Sequence, residues 1–183
     1  MRSFALIGFV CLIAVGCRSQ ATHAVRTNQP DPFAESAGKP VVLIFVRTDC
    51  PISKRYAPTI QVLADKYSGL ARFWLVFPNR GDSAEMVTAH KREFGYQSAS
   101  LRDPDHVLVG RAKATITPEA ALFDSRGVLR YHGRIDDWYV SFGRARPTPT
   151  KHDLDEALAA VVAGRPVTED ATPAVGCYIA DLK

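Results

Sequence analysis

Val41-Val42-Leu43-Ile44-Phe45-Val46-Arg47-Thr48-Asp49-Cys50-Pro51-Ile52-Ser53 is the stretch on which the fold turns. Its first six residues are apolar without a break and rich in β-branched side chains, the pattern of a strand buried on both faces. A short link follows. Residues 53–67 then place Tyr56, Ile60, Leu63 and Tyr67 at helical spacing, with Gly69 as the stop. Cys50 thus stands between a buried strand and a helix start. A helix N-terminus offers unpaired N–H groups and about half a positive charge, and both favour a thiolate over a thiol. The thiolate is the nucleophile and the metal ligand. Pro51 suits the first helical turn, where its missing N–H costs nothing. Ser53 lies three residues on, where its hydroxyl or amide reaches a sulfur at position 50. Pro58, inside the helix, is expected to kink it.

Strands and helices alternate on the C-terminal side of this unit. Phe73 to Phe77 reads as a second buried strand ended by Pro78-Asn79-Arg80-Gly81. Ser83 is placed to cap a helix running through Phe94. Ala99 to Arg102 reads as a short strand and Asp105 to Lys113 as a short helix. Ala120 to Phe123 and Val128 to His132 form a hairpin about the turn Asp124-Ser125-Arg126-Gly127. A last helix is expected over Thr150 to Ala163, with Thr150 as its cap and Gly164 as its end. This order predicts a mixed sheet with helices on both faces. Arg144, Arg146, Pro147 and Pro149 read as a stiff exposed loop. Asp136-Asp137-Trp138-Tyr139 is a candidate groove lining. Residues 165–183 read as a non-helical tail, with Cys177 inside the small apolar cluster Ala174-Val175-Gly176-Cys177-Tyr178-Ile179.

Strand, Cys50-Pro51-Ile52-Ser53, and a helix with a proline eight positions after the cysteine together resemble the thioredoxin fold. Thr117-Pro118 just before the strand from Ala120 adds to the likeness. So does Glu119-Ala120-Ala121-Leu122-Phe123-Asp124-Ser125-Arg126-Gly127 followed by Tyr131-His132-Gly133-Arg134, which resembles the hairpin of redoxins of the thiol-specific antioxidant and peroxiredoxin-like branch. The resemblance covers residues 39–164. It implies a three-layer α/β/α domain with a central mixed sheet, in which Pro118 is cis and faces Cys50. It also implies that Cys50 is the nucleophile of a thiol-dependent oxidoreductase, with Thr117 and Pro118 holding the partner of a mixed disulfide. A distant resolving cysteine occurs in redoxins, which makes Cys177 a candidate for that role, with metal ligation or a structural role as the alternatives. The site departs from the thioredoxin pattern in having Ser53 where a second cysteine stands and Ile44 where an acid is often buried. It departs from peroxiredoxins in having Leu43 and Arg47 at the proline and hydroxyl positions. Arg47 is expected to stabilise a thiolate or to orient a peroxide oxygen.

The N-terminus bears on compartment. Arg2 precedes thirteen uncharged residues, Phe4 to Gly16, too few to span a bilayer comfortably and suited to a signal peptide. Ala14-Val15-Gly16-Cys17 resembles a bacterial lipobox. The expected organisation is a signal peptide over 1–16, acylation and membrane attachment at Cys17, a tether over 17–38, the redoxin domain over 39–164, and the tail over 165–183. A cell-envelope, periplasmic or extracytoplasmic location follows from that reading, and Cys50 and Cys177 are then two thiols in a compartment where disulfides persist.

Composition supports a globular chain. Of 183 residues 46% are hydrophobic and 23% charged, which excludes disordered, collagen-like and polytopic membrane classes. The net charge is +4, and the 23 basic residues are scattered along the chain, so no nucleic-acid footprint is expected. No cofactor is expected. The expected partners are a protein or small-molecule disulfide, or a peroxide, with an external thiol donor to restore the protein. Two other readings stand beside this one. The first is a copper carrier using Cys50, Cys177 and His132. The second is a lipid-anchored interaction domain that has kept the fold and lost the chemistry.

Overall fold

The computed structural model of the chain describes residues 29–180 and Leu182. The expected signal peptide, the acylated Cys17 and the first part of the tether lie outside the described residues. Within them, no helix is long and apolar enough to cross a membrane.

The elements run β1 (Val41–Phe45), α1 (Pro51–Lys66), β2 (Arg72–Phe77), α2 (Ala84–Glu93), β3 (Ala99–Arg102), α3 (Val107–Ala112), β4 (Ile116–Thr117), β5 (Glu119–Phe123), β6 (Leu129–Gly133), β7 (Tyr139–Ser141), β8 (Arg144–Ala145), α4 (Asp153–Val162) and β9 (Cys177–Tyr178). Five strands make the central sheet in the order β3-β2-β1-β5-β6. β1 is its middle strand, parallel to β2 and antiparallel to β5. Every residue of β1 is buried, as its unbroken apolar run requires.

The alternation of side chains along the strands divides the core in two. Val42 and Ile44 face the side covered by Ile60 of α1, Val87 of α2, and Leu154 and Leu158 of α4. Val41, Leu43 and Phe45 face the side covered by Val109 and Ala112 of α3, together with Phe33. The result is the expected α/β/α layering around a mixed sheet. The tail spans both sides: Val175 and Cys177 pack on the first cluster, and Ile179 is buried in the second.

Local chemistry explains the ends of the elements. Ser83 accepts the Met86 amide at 3.2 Å and caps α2, as its sequence suggests. The start of α3 differs from expectation. His106 sits at its N-cap with positive φ, and the capping group is Asp103, whose carboxylate accepts the amides of Val107, Leu108 and Val109, each at 2.9 Å. Removing these acceptors strands three donors, one of them buried. Asp103→Ala is expected to lower stability by about 1–2 kcal/mol, read as a lower urea midpoint with an unchanged slope.

Two local expectations are corrected. Thr150 does not cap α4, which begins at Asp153 after His152. Its hydroxyl and amide both bond the Asp137 carboxylate at 2.6 Å, which also accepts the Lys151 amide. A side chain thirteen positions away therefore engages Thr150 as a donor, whereas a cap would need its hydroxyl oxygen to accept an amide of α4. The stretch around Arg144 also differs from the expected loop. Arg144–Ala145 pairs antiparallel with β7, and the Arg146 guanidinium donates to the Asp137 carbonyl.

Candidate active site

Cys50 occupies the N-cap of α1, with extended backbone angles and Pro51 at the first helical position. Its carbonyl already accepts the first helical bond, from Lys54 N–H at 3.1 Å. The side chain is 1% exposed. Across the sheet end lies Thr117-Pro118, whose peptide bond is cis, as the resemblance implied. The Cys50 thiol donates to the Thr117 carbonyl at 3.2 Å.

The group that covers Cys50 is Cys177. The two are 127 positions apart in the chain, yet the Cys177 thiol donates to the Cys50 sulfur at 2.8 Å. Both cysteines are free thiols. Secondary structure brings them together. β9 pairs antiparallel with β4, with Thr117 opposite Cys177 and Ile116 opposite Tyr178. The Thr117 hydroxyl donates to the Cys177 carbonyl at 3.2 Å, so one residue touches both cysteines. Gly176 permits this approach, because a Cβ there would land on the Thr117 carbonyl.

The two thiols are electrostatically unlike. Burial pushes the Cys50 thiol up, but the Cys177 thiol, the Ser53 hydroxyl and amide, and the Ile52 amide all favour the anion, and the net shift is downward. Burial pushes the Cys177 thiol up, and its bond to Cys50 pushes it the same way. Of the two thiols, Cys50 is therefore the easier to ionise and Cys177 the harder. Ser53 Oγ is fully buried and has no hydrogen-bond partner among the described residues, which leaves it free to turn toward the Cys50 sulfur.

Arg47 acts through its charge on Cys177, where it favours the thiolate against the stronger effect of burial, and its hydrogen bonds go elsewhere. Its guanidinium grips Asp49 through two bonds of 3.0 and 2.9 Å and donates to the Tyr178 carbonyl at 3.2 Å. It ties the tail strand to the loop before Cys50. His132 lies on β6 with Nδ1 3.6 Å from the Glu119 carboxylate. No cluster of three or more His, Cys, Asp or Glu side chains suited to a metal ion forms among the described residues, so Cys50, Cys177 and His132 do not assemble into the ligand set that a copper carrier needs. The Asp136–Tyr139 segment is a brace rather than a groove: Asp136 accepts the Tyr56 hydroxyl at 2.6 Å, and Trp138 Nε1 donates to the Arg146 carbonyl at 3.0 Å.

Glu119 is a participant that the sequence reading missed. It is buried directly after Pro118, and its carboxylate accepts the amides of Thr115 and Ile116 at 2.8 and 3.1 Å. It thereby fixes the β4 segment that carries Thr117. The available signal was an acid at the first position of an otherwise apolar strand.

No family model matches the sequence, and no curated protein matches it. Solved structures do. The chain is similar to an uncharacterized conserved protein from Geobacillus kaustophilus, with 28% identity, 78% of this chain and 77% of that chain covered, and a TM-score of 0.68. It is similar to a hypothetical protein from Sinorhizobium meliloti 1021, with 26% identity, 80% and 81% covered, and a TM-score of 0.68. A thioredoxin-like protein solved in its oxidized form matches at 19% identity over 75% of this chain and 86% of that one, with a TM-score of 0.56. Sheet order, the cis proline facing a helix-start cysteine, and these likenesses together give the chain a thioredoxin-like fold.

Proposed function

We propose that the protein is a thiol–disulfide oxidoreductase of the redoxin type, with Cys50 as nucleophile and Cys177 as resolving thiol. The observation that carries this reading is the 2.8 Å approach of the two sulfurs beside Thr117-Pro118. It brings two thiols of opposite pKa shift into bonding reach across the whole length of the domain.

The reaction proceeds in two exchanges. The Cys50 thiolate attacks a sulfur of the substrate disulfide, the substrate S–S bond breaks, and one substrate half leaves as a thiolate that takes up a proton. Cys177, giving up its proton, then attacks Cys50 in the mixed disulfide. The Cys50–Cys177 bond forms and the second half leaves as a thiol. Two electrons pass from the protein to the substrate, and an external thiol donor returns them. In the reverse direction the same steps oxidise a dithiol. Thr117 and Pro118 flank the sulfur where the mixed disulfide sits. Ser53 stabilises the thiolate when Cys50 is the leaving group. Arg47, committed to Asp49 and the Tyr178 carbonyl, favours a disulfide over a peroxide as substrate.

The charge-free N-terminal run and Cys17 support a location in the cell envelope, with attachment through a lipid, where a dithiol pair has disulfide partners. Mass spectrometry of the full chain, with Cys50- and Cys177-containing peptides mapped, tests the pairing. Oxidation is expected to remove about 2 Da and to join those two peptides, with the loss reversed by reductant. A chain in which Cys50 and Cys177 never join under mild oxidants refutes the reading and leaves a non-catalytic interaction domain.

A further inference from the structure

The thiol assigned as nucleophile is the one that solvent does not reach. Cys50 is 1% exposed, whereas Cys177 is half-buried and the neighbouring Tyr178 is 77% exposed. The cover is the tail strand itself. β9 is two residues long and pairs only with β4.

The tail is held on either side of Cys177. Upstream, Thr172 N–H donates to the His132 carbonyl at 3.1 Å, and the Thr172 hydroxyl is 2.6 Å from the Tyr131 hydroxyl. Gly133 lets Thr172 sit against the sheet edge, since a Cβ at position 133 would overlap it. Downstream, Ile179 is buried in the second core cluster, and its amide donates to the Thr115 carbonyl at 3.0 Å. The upstream anchor belongs to the body of the sheet. The downstream hold is a single buried side chain, Ile179, with its amide bond and the Arg47 bond to the Tyr178 carbonyl, and these bonds are made to loops rather than to the central sheet.

The geometry points to a strap. Residues 173–180 close over Cys50 in the dithiol state and swing away about the Thr172 anchor to expose it, and an external disulfide reacts only in the open state. The inference rests on the redox reading for the identity of the substrate, but the gating itself concerns access to one sulfur. It accounts for the combination of surroundings that favour the Cys50 anion and a side chain sealed from solvent. In the closed state the thiol that ionises more easily is unreachable, and the reachable Cys177 is the one that ionises less easily. The reduced protein is thereby guarded against indiscriminate alkylation and oxidation. After the first exchange, reclosure carries Cys177 back onto the Cys50 sulfur and drives the second.

The test measures alkylation of Cys50 by iodoacetamide in full-length Cys177→Ser protein, followed by peptide mapping. With the strap intact, Cys50 is expected to react at least about tenfold more slowly than a cysteine in an unstructured peptide. Gly176→Val, which forces a side chain against the Thr117 carbonyl, and Ile179→Asp, which removes the distal anchor, are each expected to raise that rate by about tenfold or more. Peptide-like reactivity with the strap intact overturns the gate, as do folded variants no faster than their parent. Hydrogen exchange on the unaltered chain tests it without variants. The Ile179 amide is expected to exchange through local opening, well ahead of the β1 amides, and exchange only on global unfolding overturns the strap. Disulfide turnover is scored separately. Gating without turnover in any form discards the redox reading and keeps the strap, and turnover without gating does the reverse.

Discussion

Cys50→Ser is expected to abolish disulfide reduction, and Cys177→Ser to stop it halfway. The first substitution removes the only thiol that sits at the start of α1 beside the cis Thr117-Pro118 peptide. Its hydroxyl replacement has no useful fraction of anion at neutral pH, so turnover of an insulin or dye-labelled disulfide is expected to fall by about a thousandfold or more, to background. The second leaves the nucleophile in place and deletes the group 2.8 Å from it. One substrate half should then leave in a single burst, with the other retained on Cys50 as a mixed disulfide visible in the intact mass. The split is diagnostic, because a cysteine that only packed the core would not separate the two half-reactions. Undiminished turnover in Cys50→Ser refutes the assignment. Full multiple turnover in Cys177→Ser keeps the nucleophile and removes the resolving role.

Oxidation should also stabilise the fold to a degree set by chain length. Joining Cys50 to Cys177 closes a loop of 127 residues. In the chain-entropy treatment such a loop lowers the freedom of the unfolded chain by an amount worth about 5 kcal/mol. At the urea slopes usual for a domain of this size, that corresponds to about 2 M in midpoint. The two cysteines already meet in the reduced protein, so the bond requires little rearrangement of β4 and β9. Parallel urea titrations of oxidised and reduced protein measure the difference, and coincident curves would show that the bond adds no constraint. Cys177→Ser should titrate near the reduced protein under both conditions.

The fold was readable from local patterns and the site only in part. The apolar run Val41 to Val46, the helical spacing through Tyr67 and the hairpin about Asp124 each reflect interactions within a few residues. They reappear in the structure with boundaries shifted by a residue or two. The position of Cys50 at a helix start was legible for the same reason. Other features depend on partners far away in the chain. Thr150 sits where a cap belongs, and its donors go to Asp137. Asp103 caps α3 from four positions upstream of its first residue, where a carboxylate reads as an ordinary turn former. Arg47 looked available for the sulfur until Asp49 and the tail carbonyl engaged it. The meeting of Cys177 with Cys50 depends on a two-residue pairing between β4 and β9, too short to leave a periodic signal. The resemblance made Cys177 a candidate partner, but the meaning of Gly176 beside it emerges only against the Thr117 carbonyl.

The 127-residue interval between the two sulfurs also sets a schedule during biosynthesis. A ribosome adding about 5–20 residues per second needs roughly 6–25 s to travel from codon 50 to codon 177. Throughout that time the helix-start thiol exists and Cys177 has not been made. Any sulfur bond that Cys50 forms in that window is with something else, and Cys177 on its arrival must displace it by exchange.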